Sequence, residues 1–322
     1  MGMMKKYPYQ INADNIKLVI KVCQMYYEEG MSEMQIAESL GFSRSQVSKI
    51  LLAARNQKIV NITITNPFFE ESYLEKMIAD KYGIDNVLLL NSSDTDYKSI
   101  ISSFSPVITT HIASRIKNNS VIGITSGFTI NAFAENIGYI RKKDIKIIPL
   151  VGGGFSGGPA WQANINAHLL ANRWKCEYMQ FNMPGFVSYA EIKGLLLDEP
   201  EIKSLLIEMD RTDTAFFGIG EFSDVSTFTK ANYLNEDEIS ELKSKGTVGG
   251  ICNFFYDEDG KLIDFSGYDR MIGVTPQCVK NIPTRIGLAF GTNKVVTINA
   301  ALKGKWINYL ITDVNTAAQL VK

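Results

Sequence analysis

The sequence has little of what metal centres and disulfide frameworks are made from. Its 322 residues include four cysteines and two histidines. Cys23, Cys176, Cys252 and Cys278 lie far apart, and no two form a CxxC. With only His111 and His168 beside them, no zinc-ligand spacing arises, so no metal and no other cofactor is expected. The start, MGMMKKYPYQINADN, has two lysines but no apolar stretch behind them, unlike a secretory signal. Scattered thiols without such a signal fit a reducing cytoplasm. No apolar run approaches the roughly 20 residues of a membrane helix, so no membrane partner is expected. A large charge of one sign is also missing, since the formal net charge is −1. A hydrophobic share of 45% with 21% charged residues excludes a disordered chain. A single core stops growing at roughly 250–300 residues, so the length implies one large domain with a small one beside it.

The near-neutral total conceals an asymmetry. Residues 1–60 hold eight Lys or Arg and five Asp or Glu, while the rest is net acidic. From Ser39 to Val60 there are four basic residues, Arg44, Lys49, Arg55 and Lys58, and no acidic one. A local basic face on a near-neutral chain is the electrostatic footprint of a nucleic-acid-binding module, although a solvated helix face looks the same from charge alone.

The first sixty residues read as three helices. Ile16, Val19, Ile20, Cys23 and Tyr27 recur at helical spacing over Asn15–Glu29, and Gly30 stops the run. Ser32 with Gln35 makes a capping box for a short helix, Glu33–Leu40, that Gly41 breaks. Ser43 with Gln46 makes a second box, for a helix running to about Arg55. Small Ala37, then Gly41, then apolar Val47 and Ile50 are the offsets of a helix-turn-helix, with Ile36 and Leu40 as inward partners. An ordinary helical hairpin does not explain the exposed face. Ser43, Arg44, Ser45, Gln46, Ser48, Lys49 and Arg55 are side chains suited to base edges and phosphates. Ile59–Thr65 alternates and is β-branched, so it reads as a strand, ended by Asn66-Pro67. The expected division is therefore a DNA-binding domain over 1–66 and a second domain over 67–322.

Beyond residue 67, strand-like runs alternate with helical ones. The runs are Val87–Leu90, Val121–Thr125, Lys146–Val151, Cys176–Phe181, Thr214–Gly220, Gly249–Tyr256, Ile286–Phe290 and Tyr309–Thr312. Glu70–Tyr82, Phe104–Lys117, Thr129–Ile140 and Ala160–Trp174 read as helices. Such alternation implies an α/β fold with a largely parallel sheet covered on both faces. Ligands of such sheets bind outside the strands' carboxyl ends. One end, Thr125-Ser126-Gly127-Phe128-Thr129, opens a helix beside hydroxyls, which suits a phosphate. Another, from Pro149 through Gly152 and Gly153 to Gly158, is neither a P-loop nor a dinucleotide fingerprint. Gln162 and Asn164 follow it and offer amides to sugar hydroxyls. Asp257-Glu-Asp-Gly260 reads as a hairpin turn rather than a calcium loop. Arg270 and Lys294 are isolated bases near turns, either surface charges or counter-charges to phosphate. No catalytic constellation emerges, and His111 and His168 read as structural or surface residues.

These segments in this order resemble the SorC family of sugar-responsive bacterial transcriptional regulators. In the head the resemblance rests on Gln35-Ile-Ala37, Leu40-Gly-Phe-Ser-Arg44 and Val47-Ser-Lys-Ile-Leu51. In the body it rests on Ile122-Gly-Ile-Thr-Ser-Gly127, Pro149-Leu-Val-Gly-Gly153, Gln162-Ala-Asn164, Phe217-Gly-Ile-Gly220, Phe255-Tyr-Asp257, Asp269-Arg270, Asn293-Lys294 and Leu310-Ile-Thr-Asp313.

The resemblance implies a winged or extended helix-turn-helix head. It implies a Rossmann-like α/β effector domain similar to sugar-phosphate isomerases and glucosamine-phosphate deaminases. It also implies a homodimer or homotetramer on operator DNA, controlled by a phosphorylated sugar. The phosphate end would meet Ser126, Gly127, Phe128 and Thr129 near Lys294, and the sugar end Gly153, Gln162 and Asn164. Gly152 and Arg270 complete the candidate set. Two departures stand out. Many relatives read Val-Gly-Asp where this chain has Val248-Gly249-Gly250. Val151 occupies a position where some relatives have a lysine able to form a Schiff base, so non-covalent binding is expected. An isomerase or deaminase is the alternative, but such an enzyme needs no DNA-binding head and a clear acid–base pair is missing. A regulator without enzymatic activity is therefore expected.

Overall fold

The computed structural model describes residues 9, 11–12, 14–62, 69–153, 161–223 and 234–322. The chain divides into two compact units, Met1–Pro67 and Phe68–Lys322.

In the first unit, helices α1 (Ile16–Tyr27), α2 (Glu33–Leu40) and α3 (Arg44–Asn56) enclose a small core. Val19, Val22, Ile36, Ala37, Val47, Ile50 and Ala54 are buried in it. Both capping boxes are present. The Ser32 and Ser43 hydroxyls accept the amides of Gln35 and Gln46, whose side chains accept the serine amides in return. Each box satisfies two N–H groups that a helix start leaves without partners. Gly41 ends α2 at φ +68°, a left-handed conformation that glycine adopts without strain. The expected strand over Ile59–Thr65 is corrected. The amides of Ile59 and Val60 both turn back to the Ala54 carbonyl, and 59–62 carry no strand pairing. Its last residues, 63–65, and Asn66-Pro67 lie outside the described residues.

The second unit is the expected parallel α/β architecture. Strands β1 (Asn86–Leu90), β2 (Val121–Ile124), β3 (Lys146–Pro149), β4 (Glu177–Tyr178) and β5 (Thr214–Gly218) enter its main sheet first. After β5 the chain makes a small antiparallel sheet from β6 (Gly220–Glu221), β7 (Gly249–Ile251) and β8 (Phe254–Tyr256). It then returns with β9 (Thr284–Leu288) and β10 (Tyr309–Asp313). The main sheet runs β1-β10-β9-β5-β2-β3-β4, parallel throughout. Successive side chains feed opposite faces, as the two-residue strand period requires. Leu89, Phe217 and Leu310 join one core, while Leu88, Phe216 and Ile311 join the other. Continuous apolar runs such as Thr214–Gly218 are therefore strands buried on both sides. Each fully buried Phe contributes about 1.5–3 kcal/mol by leaving water.

The run Gly249–Tyr256 is not one strand. It folds on itself at Cys252 and Asn253, with φ of +55° and +64°, into the β7–β8 hairpin. The expected helix over Phe104–Lys117 is also shifted. It is replaced by Tyr97–Ser103 and Ser105–Ala113, divided at Phe104 just before Pro106. Asp257–Gly260 does form a turn, with the Gly260 amide on the Asp257 carbonyl and φ +77° at Gly260.

Candidate functional site

The strand order reverses between β2 and β5. From β2 the chain moves to β3 and β4 on one side, and from β5 to β9 and β10 on the other. The carboxyl ends at such a reversal leave a crevice. A cavity of about 320 Å³ occurs here, lined by the ends of β2, β5 and β9 and by the β7–β8 turn. A larger cavity of about 440 Å³ lies near Met209, Asp210 and Val274, towards the amino end of β5. Lys193, Asp210 and Asp269 line that one, and we place the chemistry at the smaller one because it lies at the strands' carboxyl ends.

The β2 wall is built by local necessity. Thr125 donates its hydroxyl to the Phe216 carbonyl, tying the end of β2 to β5 at 3.3 Å. Gly127 takes φ +129°, where side-chain-bearing residues are strained, and its amide bonds the Trp161 carbonyl. Helix α4 (Phe128–Asn136) starts at once, and the Asn131 amide donates its first intrahelical bond to the Gly127 carbonyl. The amides of Phe128, Thr129 and Ile130 therefore belong to the partnerless first turn. The Ser126 and Thr129 residues line the same wall, as does Phe128, whose ring packs 5.5 Å from that of Trp161.

The facing wall is the loop after β9. Gly291, at φ +101°, donates its amide to both Asp313 Oδ2 at 2.9 Å and Thr316 Oγ1 at 3.0 Å. Asp313 is itself anchored as the cap of the helix Val314–Leu320. This clamp sets the turn Thr292–Lys294. Lys294 Nζ donates to the Ile219 carbonyl at 3.2 Å. Burial pushes the Lys294 ammonium below its ordinary pKa, and Glu221 nearby opposes that shift. A desolvated cation, first-turn amides and two hydroxyls around one cavity make a receptor for a compact anion.

The structure thus brings Ser126, Gly127, Phe128, Thr129 and Lys294 to one cavity. It does not bring the other candidates there. Arg270 is engaged by the Val187 carbonyl at 2.6 Å and by Glu238 Oε1 at 2.5 Å. Asn164 uses both ends of its amide on the backbone of Phe181, at 3.0 and 2.8 Å. Gly152 packs on Pro184, where an added Cβ would meet a carbonyl oxygen at 2.4 Å. Gly153 lies against Asn164 and Gln162, and Gln162 is buried ahead of α5 (Ala163–Trp174). The glycines after 153 lie outside the described residues. His111 lies against Asn86 and His168 against Asn172, away from the cavity. Val151 is buried, pairs with Gly273 and offers no amine. Sequence reasoning missed Asp313, which positions the Lys294 loop, and Asn253, which lines the cavity.

In the first unit, Ser43, Arg44, Ser45, Gln46, Ser48, Lys49 and Arg55 are all exposed. Four of them have protein partners, Ser43 through the capping box it shares with Gln46. Arg44 pairs with Glu33 at 3.0 Å. Gln46 spends its carbonyl oxygen on the Ser43 amide. Arg55 donates its Nε–H to the Tyr27 hydroxyl oxygen at 2.6 Å and lies over its ring.

The family described as "Putative sugar-binding domain" matches residues 66–322. The chain is 28% identical over 305 residues to the Deoxyribonucleoside regulator of Bacillus subtilis, covering 95% of this chain and 97% of that one. It is 26% identical over 318 residues to the Sorbitol operon regulator of Klebsiella pneumoniae, covering 97% and 99%. The crystal structure of the full-length sorbitol operon regulator SorC from Klebsiella pneumoniae superposes with a TM-score of 0.73 at 27% identity, over 97% of this chain and all of that one.

Proposed function

The chain belongs to this sugar-binding domain family, and on that premise we propose that it is a DNA-binding transcriptional regulator of a carbohydrate operon, controlled by a phosphorylated sugar held without a covalent bond. The functional modules are 1–66 for DNA and 67–322 for the effector. The observation that carries the reading is Lys294 set against the start of α4 across one cavity. A phosphate dianion restores the solvation that burial takes from the ammonium and fills the open first turn. The named relatives, regulators of a sorbitol operon and of deoxyribonucleosides, support a sugar as the rest of the ligand.

On the DNA side, Ser45, Ser48 and Lys49 present the exposed face of α3, flanked by Arg44 and Arg55. Early residues of a recognition helix reach base edges and later ones meet phosphates. Assembly as a homodimer or homotetramer in the cytoplasm accompanies this reading. Tyr189, Leu195 and Ile207 are 68, 72 and 63% exposed, apolar surface that suits a subunit contact. The enzymatic reading is weaker. No carboxylate or imidazole lines the cavity among the described residues, and isomerising a sugar needs a base at carbon.

The test is a thermal-shift screen of sugar phosphates against their unphosphorylated forms, joined to binding of the protein's own promoter fragment over a salt series. A phosphorylated sugar that raises the midpoint and alters promoter binding is the expected result. Equal shifts by the neutral sugar would remove the phosphate from the reading.

A further inference from the structure

The turn between β7 and β8 consists of Cys252 and Asn253, both in the left-handed region. Two such residues close a tight hairpin, and asparagine tolerates that conformation better than most. Making the turn is a sufficient reason for the residue type, but not for the position of its side chain. Every other polar residue in the left-handed region among the described residues is exposed: Lys58, Asn119, Asp144, Lys175 and Lys305. Asn253 is only 7% exposed, and it lines the cavity that Lys294 and Ser126 also line. Among the described residues its carboxamide makes no hydrogen bond. Its nitrogen and oxygen are not sealed from solvent although the residue as a whole is nearly buried, so this is an amide open to the cavity it lines. Such an amide takes its partner from whatever fills the cavity.

The rest of the hairpin leaves this task to Asn253. Strand β7 brings Gly249 and Gly250, which have no side chains. At Gly249 none fits, since a Cβ would meet Thr297 Oγ1 at 1.8 Å. We propose that Asn253 is a specificity-determining residue of the ligand site, its carboxamide hydrogen-bonding a hydroxyl or carbonyl on the sugar end of the ligand. An amide offers a donor and an acceptor together, which matches a hydroxyl that gives and takes. A phosphate dianion only accepts, and Lys294 and the α4 amides already serve it. The proposal rests on the reading of the cavity as a sugar-phosphate site.

Asn253→Gly isolates the carboxamide, because glycine keeps the left-handed turn. Titration calorimetry compares the full wild-type chain with this variant. The probes are inorganic phosphate and a panel of phosphorylated pentoses, hexoses and polyols. The expected result is phosphate affinity within twofold of wild type, with the best sugar phosphate at least tenfold weaker. Sugar-phosphate affinity within twofold of wild type would overturn the proposal. Equal loss for phosphate and sugar phosphate would also overturn it, since the residue would then only support the wall. So would a wild type that binds no sugar phosphate more tightly than inorganic phosphate. A wild type that binds neither phosphate nor any of the panel removes the sugar-phosphate reading itself, and this assignment with it.

Discussion

Arg44 Nε lies 3.0 Å from Glu33 Oε2, so the first cation of α3 is tethered to the helix before it. The Arg44 side chain is 75% exposed, and exposed pairs contribute only about 0.2–1 kcal/mol. The tether is weak enough for a nucleic-acid phosphate to displace. Glu33→Gln should therefore raise DNA affinity about two- to fivefold at low salt, on operator and scrambled duplexes alike. The gain should shrink as salt rises. Fluorescence anisotropy over a salt series checks this. A loss of affinity would mean that Glu33 holds Arg44 in its binding pose.

Gln46 closes the capping box of α3 with the oxygen that base reading would need. Only its amide nitrogen is left to face DNA. Gln46→Glu keeps the box, since glutamate fills the same role, but places a carboxylate on the face. The melting temperature should change little while DNA binding weakens at least tenfold. Ser43→Ala should do the reverse, costing about 1 kcal/mol of stability with a smaller effect on sequence preference.

Lys294→Met removes a desolvated charge as well as the proposed anion contact. The free protein should melt at a higher temperature, because the ammonium no longer has to be held away from water. The ligand-induced rise in melting temperature should vanish. The wild type should also show a proton linkage. Burial lowers the Lys294 pKa in the free protein, and a bound dianion raises it again. Binding then takes up protons between those two pKa values, so affinity falls as pH rises through that window. Calorimetry in buffers of different ionisation enthalpy detects the uptake. Proton release there would contradict the contact.

Arg270 and Glu238 form an ion pair whose side chains are 22 and 10% exposed. Removing one partner from a buried pair costs about 3–5 kcal/mol, because the other charge is left alone. Arg270→Ala should destabilise the second unit by that order in a denaturant titration. Ligand affinity at a temperature where the variant is folded should stay within a few fold of wild type. A selective loss of affinity with unchanged stability would return Arg270 to the ligand site.

What could be read from sequence was what is decided over a few residues. Both capping boxes are three-residue patterns, and the helices they start were placed correctly. The buried runs of β2 and β5 are apolar whatever surrounds them. Ser126–Thr129 was legible as a strand-to-helix turn because strand, glycine and helix follow in order, and the structure puts it on the cavity wall. The rest depended on partners far along the chain. Arg270 looked free because Glu238 stands 32 residues earlier. Asn164 looked like a sugar-binding amide because the Phe181 backbone that occupies it is 17 residues away. The β7–β8 hairpin was hidden because Cys252-Asn253 lacks the glycine that usually announces such a turn. With the turn hidden, Asn253 and its place in the cavity were hidden too.

The pairing of β1 with β10 has a consequence for how the protein is made. Asn86 to Leu90 align with Tyr309 to Asp313, and among the described residues β1 has no other neighbour in the sheet. A ribosome adding roughly 5–20 residues per second therefore leaves β1 waiting tens of seconds for its partner. Through that interval an apolar strand stays unpaired beside the growing chain, available to any other exposed edge. Synthesis rate and chaperone supply should govern yield, and a chain cut short of Tyr309 should be found in aggregates or with chaperones.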